Sequence, residues 1–234
     1  PPDAVPSPQW LGTWSASQQL TEPRNMPPAP GLAGSTLRQV IRVSVGGPCL
    51  RVRFSNAFGR TALAIATARI ARSLGGSAID VASDRPLKFG GEDSAVVAAG
   101  ETIFSDPLDW VITPLADVAV SISFGAAPAE VTGHPGSRTT SYLQLGNWAT
   151  TAELPGAVTT DHWYVLAGLD VVADGAAVVT LGNSITDGRG SGTNRNNRWP
   201  DNLSRRLQSD PRTRKVAVLN AGIGGNKVLS GGLG

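Results

Sequence analysis

The first half of the chain is organised by alternation. Residues 37–45, LRQVIRVSV, set Leu37, Ile41, Val43 and Val45 against Arg38, Arg42 and Ser44, the period-two pattern of a strand with one apolar face. After the GGP break, CLRVRFSN repeats it with Leu50, Val52 and Phe54 against Arg51, Arg53 and Ser55. The two runs predict an antiparallel hairpin over 37–55 whose arginines face solvent. ALAIATARIA, ETIFSDPLDWVI and DVAVSISF read as further strands, separated by Gly, Pro and Asp turns. Short strands at regular spacing, without helical periods between them, predict an N-terminal all-β sandwich, jelly-roll-like, over residues 10–172.

The pattern changes near residue 173. AAVVTLG, residues 176–182, is apolar without alternation, as expected of a parallel strand covered on both faces. WPDNLSRRLQSD then places Trp199, Leu203 and Leu207 one helical turn apart, with Pro200 early enough to be tolerated. RKVAVLNAG is a second apolar run. Together they predict a β-loop-α-β unit with parallel strands. Residues 173–234 are therefore expected to be the start of an α/β flavodoxin-like parallel-sheet domain.

Composition narrows the function classes. The 234 residues carry a net charge of +2, with 20 Lys and Arg dispersed among 18 Asp and Glu, so no nucleic-acid footprint is expected. No apolar run reaches the length of a membrane span, and no membrane partner is expected. With one cysteine, Cys49, and two histidines, His134 and His162, the chain has no zinc-ligand spacing and implies no metal or other cofactor. The Pro-rich start PPDAVPSPQW suits a secreted or periplasmic protein that has lost its signal peptide; a cytoplasmic one fits the cysteine count equally well.

Both predicted parallel strands end in polar, Gly-rich loops: Ser184 follows the first and NAGIGGN the second. Ligands of open α/β sheets bind at the carboxyl ends of the strands, and adjacent strands bring such loops side by side. A hydroxyl and a set of backbone N–H groups facing one crevice are what acyl transfer needs. Alone, Ser184 would read as a helix N-cap or turn residue; the second loop shifts the balance to a nucleophile. GIGGNK satisfies neither the dinucleotide nor the Walker phosphate pattern, because Lys227 and Val228 stand at the deciding positions.

GNSITDG resembles the first block of the SGNH hydrolases, also called GDSL esterases, and NAGIGG resembles their second. TGHPGSRTTSYL and DHWYVLAGLDV resemble the accessory β domain of two-domain members. The resemblance implies that Ser184 is the catalytic nucleophile and, through its N–H, part of an oxyanion hole completed by Gly225. Asn183 stands where the family usually has Asp; it, Asp187 and Asn220 are implied to shape the site. Arg198, Trp199 and Asn226 are candidates for a substrate rim, although a solvated loop explains NRNNRWP equally well.

The family's third block and its closing Asp-x-x-His have no match here, and neither His134 nor His162 is assignable as the base. A separate polypeptide carrying these groups is therefore the expected partner, with a cut after Gly234. The implied activity is serine-esterase hydrolysis of small acyl esters, foremost acetyl esters of carbohydrates. The alternatives are a non-catalytic carbohydrate-binding or scaffold protein, and a short-chain lipid esterase.

Overall fold

The computed structural model describes residues 9–229. PPDAVPSP, the end of the GNKVLSGGLG segment and the expected cut after Gly234 lie outside them. Of the described residues, 44% are strand and 10% helix, short 3-10 turns included, with two α-helices among them, Ser184–Asp187 and Trp199–Ser209.

Two antiparallel sheets account for most strands. In one, Trp10–Ser15, Leu166–Val172, Gly47–Ser55 and Leu108–Ile112 follow in that order, and Thr102–Phe104 also pairs with Gly47–Ser55. The other runs Val158–Thr160, Ser141–Leu145, Ser35–Arg42, Asp117–Phe124, Leu63–Gly75 and Ala78–Ile79, with Arg85–Leu87 and Ala95–Val97 on its Leu63–Gly75 strand. Leu50, Val52, Phe54, Leu166 and Leu169 of the first sheet share one buried cluster with Leu37, Ile41, Ile65, Val118, Val120 and Ile122 of the second.

The expected 37–55 hairpin does not form. Ser35–Arg42 pairs with Asp117–Phe124 and Ser141–Leu145, whereas Gly47–Ser55 pairs with Leu166–Val172 and Leu108–Ile112. The GGP break carries the chain from one sheet to the other, so both runs bury their apolar sides in the shared core without touching edge to edge.

Nor is the polar side of the first run a solvent face. Arg38 is fully buried. Its Nε donates to Ser121 Oγ (2.8 Å), and its terminal nitrogens donate to the carbonyls of Ser77 (2.6 Å) and Thr151 (2.8 Å). Burial pulls the Arg38 pKa down to about 10, against a favourable field from Asp84. The loop around residues 148–152 closes over this guanidinium, and the carbonyls that ring it replace the water it has lost.

The flavodoxin-like expectation is corrected by the sheet itself. Ala176–Gly182 and Val216–Gly222 do pair in parallel, Ala176 opposite Val216 through Gly182 opposite Gly222, but among the described residues they form a sheet of two strands. An open α/β sheet needs more strands with helices on both faces. Here Val179 and Leu181 are 59% and 80% exposed, so the apolar run is not covered as its composition predicts. Val216–Gly222 instead packs on the Trp10–Ser15 strand: Leu219 lies over Gly12, and the Val218 N–H donates to Ser44 Oγ (3.1 Å), which itself donates to the Thr13 carbonyl (2.7 Å).

The helix Trp199–Ser209 forms, but in a different rotation from the expected one. Pro200 and Ser204 are its buried residues, while Trp199 is exposed. Arg198 fixes its start: its N–H and Nε both donate to Asp201 Oδ2 (3.0 and 2.8 Å), and its guanidinium sits 5.6 Å from the Trp163 ring centroid. Among the described residues no helix is long and apolar enough to cross a membrane.

Candidate active site

Ser184 opens a four-residue helix directly after the Ala176–Gly182 strand. Asn183 is its N-cap: the side-chain oxygen accepts from the Ile185 N–H (3.0 Å), a role that requires an acceptor and no charge. The turn closes on Gly188, at φ +106°, with the Gly188 and Arg189 N–H groups both donating to the Ser184 carbonyl (3.0 and 2.7 Å). Asn220 ties the two strand-end loops together. Its Nδ2 donates to the Thr186 carbonyl and its Oδ1 accepts from the Gly222 N–H, each at 2.9 Å. Gly222 admits this approach because a Cβ there would overlap the backbone of Asp187.

Ser184, Asp187, Arg189, Gly224 and Gly225 line one cleft of ≈ 390 Å³ together with Gln19, Glu22, Arg24, Asn25, Pro135, Gly136 and Arg138. The β module therefore supplies one wall and the strand-end loops the other. Among the described residues, the Ser184 hydroxyl makes no hydrogen bond, and neither the Ser184 nor the Gly225 N–H donates to a protein acceptor. Gly225 has φ +80°, a conformation that suits glycine. Ser184 and Gly225, the residues that carry this unbonded hydroxyl and these unbonded backbone donors, thus line one cavity.

Of the other candidates, Asp187 is in the cleft wall. Arg198 lies at the junction of helix Trp199–Ser209 with Trp14 and Ser44, and Trp199 and Asn226 stand outside the cleft. Asn226 closes its own turn, with its N–H donating to the Ile223 carbonyl (3.1 Å).

The residue with the least signal in the sequence is His134. Its Nε2 lies 2.8 Å from Asp187 Oδ1 and its Nδ1 lies 2.8 Å from the Ser17 carbonyl, with both side chains about 95% buried. Since two oxygens face the ring, full hydrogen bonding needs two ring protons, or one ring proton and one on Asp187. Gly136 allows the carboxylate to seat here, because a Cβ at that position would overlap it. Thus the β module grips the helix of Ser184 through a buried pair 53 residues apart. Both His134 nitrogens are occupied by this bracing role. His162 Nδ1 is bonded to the Pro135 carbonyl (2.8 Å), and neither histidine lines the cleft.

Among the described residues no three His, Cys, Asp or Glu side chains come together as a metal-holding group. No model of a known protein family matches the chain, and no curated protein matches it.

Proposed function

We propose that this chain is the nucleophile-bearing part of a serine esterase resembling the SGNH hydrolases, acting on small acyl esters, foremost acetyl esters of carbohydrates. The observation that carries the reading is that Ser184 and Gly225, whose hydroxyl and backbone N–H groups have no protein acceptor among the described residues, line the same cleft. In the proposed reaction Ser184 Oγ attacks the ester carbonyl carbon and gives its proton to a base. The two N–H groups hold the resulting oxyanion. The carbonyl–alkoxide bond then breaks, the alcohol takes up that proton, and water releases the acid from the acyl-enzyme by the same route.

A base is required, because a serine hydroxyl is a weak nucleophile at its ordinary pKa. His134 is braced against Asp187 and Ser17, so we assign the base to a group outside the described residues, on a second polypeptide or on a longer form of this chain, that meets the cleft. The exposed Val179 and Leu181 beside the Ser184 loop suit such a contact. A secreted or periplasmic setting belongs to the same proposal, since polymeric carbohydrate esters lie outside the cytoplasm.

The test is hydrolysis of a chromogenic acetyl ester by the protein isolated from its native source, with and without Ser184→Ala. Loss of turnover by at least ~1000-fold supports the nucleophile. Unchanged turnover favours a carbohydrate-binding protein with no catalytic step, the reading that the lack of a facing histidine among the described residues would then explain.

A further inference from the structure

The cleft around Ser184 has an unbalanced charge. Three arginines line it, Arg24, Arg138 and Arg189, with two carboxylates, Glu22 and Asp187. Both carboxylates are already engaged. Glu22 Oε2 takes hydrogen bonds from Arg24 Nε (3.2 Å) and Asn25 Nδ2 (2.8 Å), and Asp187 is held by His134. Arg138 and Arg189, by contrast, have no carboxylate partner among the described residues. The Nε of Arg138 is buried and has no hydrogen-bond acceptor among them.

Arg138 is also held in a costly conformation. Its φ is +50°, which a non-glycine residue adopts at a cost and which surrounding bonds must enforce. Those bonds are present. The Arg138 carbonyl accepts from the Asn194 N–H (2.9 Å), and Ser137 Oγ donates to the Thr139 carbonyl (2.8 Å) across the turn. A long cationic side chain is thus fixed at the cleft by a strained, well-tied backbone, with a buried donor left open. Arg189 follows the same helix that begins at Ser184, its N–H bonded to the Ser184 carbonyl.

We infer that the cleft selects an anionic ester: Arg138, with Arg189 beside it, binds a carboxylate carried by the substrate while its ester group lies at Ser184. The inference rests on the esterase reading for the reaction, but its binding component stands on the arginines alone. A planar guanidinium matches a carboxylate in a bidentate pair, which a neutral sugar or an alkyl chain would leave unused. The carboxylate can sit on the alcohol, as in an acetylated acidic sugar, or on the acyl group, as in a dicarboxylic half-ester.

The experiment compares kcat/KM for four acetyl or acyl esters with the protein from its native source. These are methyl 4-acetoxybenzoate as the neutral reference, 4-acetoxybenzoate with charge on the alcohol, and mono-4-nitrophenyl succinate with charge on the acyl group, set against 4-nitrophenyl acetate. At least one charged ester is expected to exceed its neutral counterpart ~10-fold or more, and Arg138→Gln to reduce that ratio by a similar factor, with Arg138→Lys between them. Which ester shows the gain identifies the side that carries the charge. Equal ratios in parent and Arg138→Gln overturn the inference. If Arg138→Gln does not fold, Arg189→Gln is read in the same way.

Should Ser184→Ala leave every rate unchanged, the esterase reading has failed and the anion site is judged separately. Calorimetric titration of the chain with 4-hydroxybenzoate and with galacturonate is then decisive. Saturable binding that is weakened ~10-fold or more by Arg138→Gln upholds the anion site. Absence of saturable binding, or equal binding by the variant, overturns it.

Discussion

The pair His134–Asp187 is the joint on which the Ser184 helix rests, and its removal gives the sharpest stability prediction. In His134→Ala the Asp187 carboxylate stays buried under Gly136 without a donor, and in Asp187→Ala the ring loses the oxygen at Nε2 while keeping the Ser17 carbonyl. Stranding one member of a buried pair costs about 3–5 kcal/mol. Each single variant should therefore lose about 3 kcal/mol, and the double variant much less than the sum, because neither group is then left alone. A double-mutant cycle from urea unfolding should yield a coupling of about 2 kcal/mol. With a urea slope near the upper end of its usual range, about 3 kcal/mol/M, each single variant moves the midpoint by about 1 M. Asp187→Asn should fall closer to the parent than Asp187→Ala. Its amide can donate to Nε2 while Nδ1–H serves the Ser17 carbonyl, which satisfies a neutral ring. Additive losses, with coupling under about 0.5 kcal/mol, would show that the pair does not brace the helix and would refute this reasoning.

Arg38→Met should destabilise the chain by about 3 kcal/mol or more, since the Ser77 and Thr151 carbonyls lose their donor inside a closed loop; denaturant unfolding reads the loss, and a change under about 1 kcal/mol contradicts the buried role. Burial pushes the Tyr164 phenol up to about 12, and its hydroxyl donates to the Asn25 carbonyl (2.7 Å). The folded state thus keeps a proton that the unfolded phenol gives up near pH 10, so the Tyr164 contribution to stability is lost as pH rises from about 10 to about 12. Arg38, pulled down to about 10, acts the other way in that window, so the test is the difference between Tyr164→Phe and the parent. The variant should lose less stability than the parent between those pH values, and parallel curves would contradict it.

Alternation along the chain made individual strands legible but not their partners. Leu50, Val52 and Phe54 do face the core, and Val118, Val120 and Ile122 do share one. The hairpin failed because period two names the face of a strand and says nothing of its neighbour. Two runs joined by a short turn can pair, or can cross between sheets, with the same apolar sides buried. Arg38 was misread for a related reason: a loop more than a hundred residues away covers the second side of its sheet. The β-loop-α-β pattern correctly preceded two parallel strands and a helix, yet the continuous apolar run at 176–182 predicted a cover that the described residues do not provide. At the candidate site, the strand-end loops pointed to Ser184 and the resemblance named Gly225, Asn183 and Asn220; the structure puts Ser184 and Gly225 on one cleft. The His134–Asp187 contact and the Arg138 wall were not, because both depend on the β module folding back onto the loop. The only local sign was a histidine followed by Pro135 and Gly136, the glycine that makes room for the carboxylate.

The most direct test of the proposed nucleophile is the intact mass, under denaturing conditions, of the natively isolated protein before and after reaction with a fluorophosphonate. The proposed function predicts one adduct on the chain that carries Ser184, lost in Ser184→Ala, together with a second polypeptide in the same sample or a longer chain. This chain alone, with no adduct, would contradict it.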